Sequence, residues 1–541
     1  MQRKSIIVFA LIIALLATLR SFPVGRSMVF NGPIFIMGDG SIEPVSAPIQ
    51  RNGSTYTLTG DVSSFSDGIV VEIDAITLNG AGYTVQGLVN SSVSPPLETN
   101  GINMTGRSNV TVENTIVIGF TNGMLLSTSS SGLGGLSGYN TIDGNNLTSN
   151  ENGIVLAASN GSDIFSNDIS EGGFGISVSD FSMNNSIDGN DLMGNALGMF
   201  FNDSYNNYVY GNNVPSAYQG VWLDGSSNNT LALNNVSAYD YGNGITLVDS
   251  SNYDAIVGNE VTNCDQGLSL RSFSSFGSIV GNDIEGNFRG LEFSDSSNDT
   301  IARNTISDNG WFNFRLVRGS GNLVYENTIA GNGFSIWLAS SLNNSFYHNF
   351  IGSMAVILSS TYGNAWDDGY PSGGNYWVGS NATDRFSGPY QNITGSDGIC
   401  DSPVVLDAND VDNYPLAAPF YSFNATSGQQ VQIESNSTLS NFHYNSTAIL
   451  FDMTGENGTD GFCRISIPSD VMNGPFAVFV NGTQVTYTLN PYSNDSLNYL
   501  YFTLHFSTQE ITVIPEYFSA EMLFISVLIV SLIVLVYKKR R

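Results

Sequence analysis

Basic residues are the scarcest feature of this 541-residue chain. It holds 17 Lys and Arg against 47 Asp and Glu, and no lysine occurs between Lys4 and Lys538. The formal net charge of −30 therefore comes from missing bases rather than from an unusual load of acids. Such a surface repels phosphate backbones, so we exclude nucleic acid as a partner class, whereas cations are attracted.

Cysteine and histidine are also scarce. The chain has three of each, at Cys264, Cys400, Cys463, His348, His443 and His505. Three cysteines are too few for a disulfide framework, and whether any two of them pair stays open. Copper prefers His, Met or Cys ligands, and the histidines show no spacing pattern, so the sequence argues against a copper site.

What the chain has in abundance is a repeat of 22 or 23 residues, from Gly101 to about Leu358. One phrase is Gly–apolar–x–apolar, as in Gly153-Ile-Val-Leu156, and the other is apolar–x–x–Asn–x–apolar. The second phrase places asparagines at Asn145, Asn167, Asn190, Asn212, Asn234, Asn259, Asn282, Asn304, Asn327 and Asn349. A register kept over nine intervals indicates a stacked architecture.

The repeat predicts strands rather than helices. Its segments are short, alternate in polarity, and are rich in Gly, Asn and β-branched residues. A leucine-rich repeat has a similar period, but its leucine frame is absent. We therefore predict a parallel β-helix of about twelve coils. The repeated Asn should lie at a bend, adopt left-handed backbone angles and hydrogen-bond the Asn one coil above.

The Asn-Gly-Ile and Gly-Asn-x-Ile phrases resemble the NosD-type right-handed β-helix family over about Tyr56 to Pro415. The segments 364–377, 395–403 and 412–415 resemble the closing module of archaeal surface members. The resemblance implies a right-handed solenoid that is related to carbohydrate-binding and sugar-hydrolase β-helices. NosD-type relatives are also associated with copper, for which this sequence offers no ligand pattern.

The fold class that we predict is all-β: a right-handed parallel β-helix, a small β-sandwich and a C-terminal transmembrane helix. The predicted segments are a signal peptide or N-terminal anchor at 1–28, first strands and an N-terminal cap at 29–99, the β-helix at 100–363, a C-terminal cap with Asp-rich loops at 364–421, a membrane-proximal β-sandwich-like domain at 422–515, and a transmembrane helix with a basic cytoplasmic tail at 516–541. About twenty N-x-S/T sequons favour a glycosylated, extracellular location for everything before that helix.

Functional candidates come from the positions that vary between coils. The residue between the two apolar positions of the first strand should point outward. Read coil by coil, this column is Ser177, Phe200, Trp222, Thr246, Ser269, Glu292, Arg315 and Trp337. Phe200, Trp222, Trp337 and Arg315 are the predicted ligand-binding residues, because exposed rings offer an apolar patch to sugars and Arg captures carboxylates.

Catalysis is the alternative interpretation of the same face. The candidates are Glu292, Asp295, Arg315 and Arg318. β-Helix polysaccharide lyases, which this fold resembles, use Ca²⁺ with an Arg or Lys base, but no lyase signature matches residue by residue. A turn-forming role explains an Asp that follows a strand, and a surface ion pair of little energy explains a Glu beside an Arg.

Calcium is the metal that the sequence favours. The candidate ligands lie on loops of the cap at Asp397, Asp401, Asp407, Asp410 and Asp412. Carboxylates at this density suit Ca²⁺, although their spacing departs from the EF-hand frame and solvated turns explain them equally well.

Two functions follow from the sequence. The first is a membrane-anchored cell-surface protein that binds carbohydrate without catalysis, mediates adhesion or contributes to envelope structure. The alternative is an extracellular polysaccharide lyase or glycoside hydrolase that acts on acidic glycans. The expected partners are carbohydrate or other envelope components, and the membrane through the C-terminal helix.

Overall fold

The computed structural model describes residues 30–88, 98–128, 137–216, 218–239, 242–380, 383–426, 428–505 and 509–516. These residues form strands, turns and bends, with no helix among them. The predicted signal segment lies outside the described residues, and so does the predicted membrane helix beyond Glu516. Within the described ranges, no helix is long and apolar enough to cross a membrane. The chain divides into two compact units, and the boundary between them in the sequence lies between Tyr208 and Val209.

The first unit is a β-solenoid with three parallel sheets. Its first sheet holds Ile42–Glu43 (antiparallel), Ile34–Ile36, Ile69–Val71, Asn100–Asn103, Asn122–Ser127, Asn152–Ala157, Phe174–Ser179 and Leu197–Asn202. Its second sheet holds Ile49–Asn52 (antiparallel), Thr55–Leu58, Thr77–Asn79, Thr111–Glu113, Thr141–Asp143, Asp163–Phe165 and Ser186–Asp188. Its third sheet holds Phe30–Asn31, Val62–Ser64, Thr84–Gly87, Ile116–Ile118, Asn146–Thr148 and Asp168–Ser170. A short side pair joins Ser137–Gly138 to Ser159–Asn160.

The second unit contains a solenoid of the same construction. Its first sheet holds Gln219–Asp224, Asn243–Val248, Gln266–Arg271, Arg289–Ser294, Phe312–Val317, Phe334–Ala339 and Val356–Ser359. Its second sheet holds Thr230–Ala232, Ala255–Val257, Ser278–Val280, Thr300–Ala302, Leu323–Tyr325 and Ser345–Tyr347, and Tyr208–Tyr210 lies at the unit boundary. Its third sheet holds Asn213–Ser216, Asn235–Ala238, Glu260–Thr262, Asp283–Glu285, Thr305–Ser307, Thr328–Ala330, Phe350–Ile351 and Tyr376–Trp377. Counted over both units, the solenoid has about 13 turns, close to the predicted twelve.

Buried asparagines form a hydrogen-bonded ladder along the bend between the second and third sheets. Asn282 is typical: its Nδ2 donates to Oδ1 of Asn304 at 2.9 Å and to the carbonyl of Ile256 at 2.8 Å, so one amide joins three successive coils. Its own Oδ1 accepts from the backbone N–H of Asn259 at 2.9 Å. The predicted ladder is confirmed. Each amide satisfies backbone groups that would otherwise be buried at the bend without partners.

The predicted backbone conformation of these asparagines is wrong by one position. The positive φ angle belongs to the residue before each ladder Asn, as at Ser166 (57°), Leu233 (54°) and Arg303 (58°). At these three positions the residue faces solvent at the tip of the bend, while the Asn behind it turns its side chain inward. Left-handed angles cost a non-glycine residue energy, which the hydrogen bonds of the neighbouring ladder position offset.

A second ladder follows the bend between the first and second sheets, where the sequence predicted none. In it, Nδ2 of Asn322 donates to Oδ1 of Asn344 at 3.0 Å. Asp254 occupies one rung. Its Oδ1 accepts from the backbone N–H of Asn229 at 2.7 Å, but its Oδ2 is buried without a hydrogen-bond partner. That oxygen stands where an asparagine would carry its amide donor. Burial raises the pKa of Asp254 from 3.8 to about 8, so this rung is neutral at neutral pH.

We expect Asp254→Asn to stabilise the fold and to flatten its pH dependence. Between about pH 4 and 8 the native carboxyl keeps a proton that the unfolded chain releases. Stability should therefore fall by up to about 1.4 kcal/mol per pH unit as the pH rises, and the amide abolishes that fall. Urea unfolding at pH 4.5 and 7.5 measures this, with the exposed Asp249→Asn as control. An equal gain from Asp254→Asn at both pH values would contradict the assignment.

The C-terminal cap closes the solenoid with two tryptophans. Trp366 and Trp377 are fully buried, and Trp366 stacks on Phe346 of the last second-sheet strand with ring centroids 4.6 Å apart. Their indole N–H groups donate to Asp410 and Asp412, each at 2.8 Å. The cap also holds the short pairs Phe386–Ser387 with Ile393–Thr394 and Val404–Val405 with Val411–Asp412.

A β-sandwich of two five-stranded sheets follows the cap. One sheet holds Phe420–Thr426, Gln429–Ser435, Asp460–Pro468, Leu497–His505 and Thr488–Leu489. The other holds Thr438–Tyr444, Ile449–Thr454, Gln509–Pro515, Phe476–Val480 and Thr483–Val485. The core between the two sheets is apolar, with fully or nearly fully buried residues such as Val431, Phe451, Ile465, Phe502 and Val513.

A buried ion pair joins the cap to the sandwich. Arg464 and Glu434 are almost completely buried, with Nη1 and Oε2 3.0 Å apart. Nη2 of Arg464 donates to the carbonyls of Pro371 and Ser372 in the cap, and Oε1 of Glu434 accepts from the N–H of Ala417 at 2.9 Å. The N–H of Ala418 also donates to Oε1 of Glu434, at 3.2 Å. The pair therefore fixes the sandwich against the cap through four hydrogen bonds, to Pro371, Ser372, Ala417 and Ala418, all charge-assisted.

Arg464→Met should destabilise this junction by about 3–5 kcal/mol, because it leaves Glu434 buried without its counter-charge. Adding Glu434→Gln should recover most of that loss, since the neutral amide can still accept from Ala417. Urea unfolding followed by circular dichroism measures both variants, with the exposed Arg385→Met as control. A single variant as stable as the control would show that the pair does not hold the junction.

Candidate functional site

The predicted outward column exists in the second unit as a row of paired residues. Trp222, Thr246, Ser269, Glu292, Arg315 and Trp337 each lie opposite the next on adjacent first-sheet strands. Leu291 and Phe293, on either side of Glu292 in its strand, are fully buried in the core. Alternate residues of a strand point to opposite faces, so the column faces away from the core.

Two predicted members lie in the first unit. Ser177 pairs with Phe200, and Phe200 is half-buried against Phe174 with ring centroids 5.8 Å apart. Trp222 is likewise half-buried and belongs to the second unit. A platform shared by Phe200 and Trp222 therefore stays a prediction.

Glu292 is the centre of the column in the second unit, and it is only 5% exposed. Its Oε1 accepts from Nη1 of Arg315, and its Oε2 accepts from Nε2 of Gln266. Nη2 of Arg271 lies 3.5 Å from the same Oε2. The predicted Glu–Arg pair is present, but the interpretation as an exposed surface pair is wrong, because neighbouring side chains cover the carboxylate.

Bases outnumber acids on this face. Arg289 pairs with Asp265 at 2.9 Å, so three arginines (Arg271, Arg289 and Arg315) contact two carboxylates. All three guanidinium side chains reach solvent. On a chain with a net charge of −30, this is a local excess of positive charge.

An aromatic edge borders the arginines. Trp311 and Phe288 are 40% and 52% exposed, and their ring centroids lie 6.0 Å apart. Trp311 also lies 5.6 Å from Trp337. The guanidinium of Arg289 lies 5.8 Å from the Trp311 centroid, and that of Arg315 lies 4.8 Å from the Trp337 centroid. These cation–π contacts hold the charged groups against the rings.

Sequence reasoning missed Phe288, Trp311 and Gln266. They belong to the start of each first-sheet strand and the turn before it. For two of them the signal is the distance from the strand glycine: Gln266 comes immediately before Gly267, and Phe288 comes two positions before Gly290.

The four catalytic candidates form two separate pairs. Arg318 holds Asp295 through two hydrogen bonds of 2.6 Å in the turn that follows the strand. This guanidinium lowers the pKa of Asp295. Within the described residues no hydrogen bond or ion pair links Asp295 and Arg318 to Glu292 and Arg315. Positive φ angles at Asp249 (50°) and Asp295 (59°) agree with a turn-forming role for the acidic column.

The five aspartates predicted as Ca²⁺ ligands serve as hydrogen-bond acceptors in the cap. The donors are the Tyr370 hydroxyl for Asp397, the N–H groups of Arg385 and Phe386 for Asp401, the N–H groups of Asn409 and Asp410 for Asp407, the Trp366 indole for Asp410 and the Trp377 indole for Asp412. Among the residues that the structure describes, no group of three or more His, Cys, Asp or Glu side chains is placed to hold a metal ion. The predicted clustering of these carboxylates is therefore not observed.

Two family models match the repeat. One, described as periplasmic copper-binding protein (NosD), matches residues 179–310 and 216–382, and the other, the right handed beta helix region, matches 74–236. The repeat region is a NosD-like right-handed β-helix. A search of curated proteins gave no significant match.

That family description names copper, but the described residues of this chain offer no suitable group of copper ligands. His348 is buried, its ring stacks on Phe420 at 3.9 Å, and burial lowers its pKa to about 3. His443 and His505 lie in the sandwich, and the three cysteines are buried separately. These residues do not fit a copper centre, which prefers converging His, Met or Cys ligands.

The solved structures that are similar to this chain share little sequence identity with it and superpose only in part. The Azotobacter vinelandii mannuronan C-5 epimerase AlgE6 A-module is 15% identical over 57% of this chain and 88% of its own, with a TM-score of 0.33. The Dettilon tailspike protein is 13% identical over 84% and 87%, with a TM-score of 0.33. A tailspike protein of E. coli bacteriophage HK620, in complex with a hexasaccharide, is 11% identical over 90% and 87%, with a TM-score of 0.39. Similarities at this level assign no function to the chain.

Proposed function

We propose that this NosD-like protein binds an acidic glycan, without cleaving it, on the outer face of the first sheet between Gln266 and Trp337. The observation that carries the proposal is the excess of arginine over carboxylate on this face, beside exposed aromatic rings, in a chain that is otherwise acidic. The sequons and the predicted end segments support an extracellular, membrane-anchored location for it.

The arginines favour a ligand that carries carboxylates. A guanidinium presents paired donors that match a carboxylate, as on a uronic acid. Arg271, Arg289 and Arg315 lie on three successive strands, which are about 4.8 Å apart, but at different positions along them. Arg289 lies opposite Gln266 at the start of the strands, Arg315 lies opposite Glu292, and Arg271 lies opposite Ser294 at the end. The four strands from Gln266 to Ala339 therefore offer a face about 15 Å long, which suits a short oligosaccharide rather than a single sugar.

The hydrogen bonding of the cluster is incomplete. Nε of Arg289, Nε of Arg315 and Oε1 of Gln266 are buried without partners. Buried polar groups are normally satisfied, so a cluster with three unpaired atoms favours a rearrangement that brings in further partners. A bound carboxylate and its hydroxyl neighbours would supply acceptors and donors when these side chains adjust.

The aromatic edge supplies the apolar half of a sugar site. Trp311 and Phe288 expose ring surface beside Arg289, and exposed apolar patches mark binding surfaces. A pyranose can place its C–H face on these rings while its carboxylate reaches the guanidinium groups.

The pairing of the acids favours binding over turnover. Glycosidases need two carboxylates on either side of the scissile bond, one of which donates a proton. Here Glu292 is held by Arg315, Arg271 and Gln266, and Asp265 is held by Arg289. Each of the two carboxylates is therefore paired with at least one arginine. A lyase or hydrolase that uses Glu292 and Arg315 is the alternative, and the experiment below separates it from binding.

We expect the full chain to bind oligogalacturonate in calorimetric titration and to bind a neutral glucan of equal length at least tenfold more weakly. Arg289→Gln and Trp311→Ala should each weaken binding about tenfold, equivalent to about 1.4 kcal/mol. Arg303→Gln is the matched control, because Arg303 is also exposed and paired with one Glu but lies off this face. Added salt should weaken binding, since the contacts are charged.

Equal affinity for the neutral glucan, or Arg303→Gln as damaging as Arg289→Gln, would contradict the proposed face. Turnover is checked on the same samples by reducing ends and by the ultraviolet absorbance of unsaturated uronates. Product that forms with the wild-type chain and disappears in Glu292→Gln would replace the binding function by the enzymatic alternative.

A further inference from the structure

A separate cavity lies where the C-terminal cap meets the β-sandwich. Its volume is about 290 Å³. The cap contributes Tyr370, Ile393 and Asp397, and the sandwich contributes Asn490, Tyr499 and Tyr501. None of these residues belongs to the first-sheet face, so this cavity is independent of the proposed glycan surface. A volume near the lower end of the roughly 300–1,000 Å³ of small-ligand pockets suits one ring rather than a chain.

One wall of the cavity is a fixed polar network centred on the Tyr370 hydroxyl. This hydroxyl donates to Oδ2 of Asp397 at 2.8 Å and accepts from Nδ2 of Asn490 at 2.7 Å and from the N–H of Gly388 at 3.1 Å. Oδ1 of Asn490 accepts from the N–H of Tyr492 at 2.9 Å, which fixes the orientation of the amide. The second N–H of Asn490 has no acceptor among the described residues. The donor and both acceptor positions of the phenol are used within this network, so the carboxylate of Asp397 and the remaining N–H of Asn490 are the acceptor and the donor that a ligand hydroxyl can meet.

The charge of the cavity argues against an anion. Arg464 lines it, but its guanidinium is already paired with Glu434 and bound to the carbonyl of Ser372 at 3.2 Å. Asp397 contributes the only carboxylate among the lining residues, and no ion pair joins it to Arg464. An uncharged ligand is consistent with this balance, whereas an acidic one would be repelled.

The mouth of the cavity is apolar. Ile393 lines it and is 55% exposed, and Leu489 and Tyr492, on either side of the lining residues Asn490 and Pro491, are 46% and 49% exposed. The Tyr499 ring forms part of the wall, with Arg464 5.2 Å from its centroid. Exposed apolar side chains around a polar interior mark a binding site rather than a solvated gap.

From these features we infer that the junction cavity binds a single neutral hexopyranose unit. Its hydroxyl groups meet Asp397 and Asn490, and its apolar ring face meets Tyr499 and Ile393. The site is held in shape by the Glu434–Arg464 pair, which joins the same two parts of the chain.

The test titrates the full chain with the methyl pyranosides of glucose, mannose and galactose, and with glucuronate as the anionic probe. We expect at least one neutral glycoside to bind, and glucuronate to bind at least tenfold more weakly. Thr394→Trp, which fills the mouth from an exposed position, and Asn490→Ala should each weaken binding tenfold or more. Thr454→Trp, an exposed threonine at the end of a sandwich strand away from the cavity, should leave it unchanged.

Tyr501→Phe keeps the shape of the cavity wall, so it should weaken binding only a few-fold. It is the control for misfolding as the cause of a larger loss in the other variants. Circular dichroism of each variant checks the fold. Arg289→Gln should not affect the neutral glycoside, and Thr394→Trp should not affect oligogalacturonate, so the two sites fail or succeed separately. Absence of binding by all three neutral probes, tighter binding of glucuronate, or undiminished binding to Thr394→Trp would overturn the inference.

Discussion

Buried asparagine amides are the interaction on which the rest of the structure depends. A coil of 22 or 23 residues has three strands and three bends, and each bend would bury backbone groups without partners. A ladder amide such as that of Asn282 bonds the coil before it and the coil after it, so it satisfies the bend and fixes the register together. Because the register is fixed, residues at equivalent positions form straight columns. The columns that carry Glu292, Arg315 and Trp337 are a consequence of this ladder.

The function that we propose depends on positions whose residue type the ladder does not constrain. The buried positions must repeat, whereas the outward positions of the first sheet need not, and there small polar residues give way to charge and rings. Thr246 and Ser269 precede Glu292 and Arg315 along the column, and the Trp311 edge lies beside them. The junction cavity arises differently, because it needs the cap and the sandwich to be held together by Glu434 and Arg464.

The features that could be predicted from the sequence are those that the repeat period controls. The parallel solenoid, the ladder and the outward column all follow from a constant repeat. The burial of Glu292 did not follow, because it depends on Gln266, Arg271 and Arg315 from the two strands on either side of it. The roles of the cap aspartates also did not follow. Their density on loops suggests calcium, and only the fold shows that donors such as the Trp366 and Trp377 indoles bond to them. The Glu434–Arg464 contact spans 30 residues and has no local pattern.

Hydrogen–deuterium exchange of the full chain, with and without oligogalacturonate, tests most directly whether function resides in the outward face of the first sheet. Our account predicts added protection confined to the strands Gln266–Arg271, Arg289–Ser294, Phe312–Val317 and Phe334–Ala339 and to the turns that enter them. The second-sheet and third-sheet strands of the same coils should be unchanged. Protection centred on those other sheets, or no protection at a saturating concentration of the oligosaccharide, would contradict it.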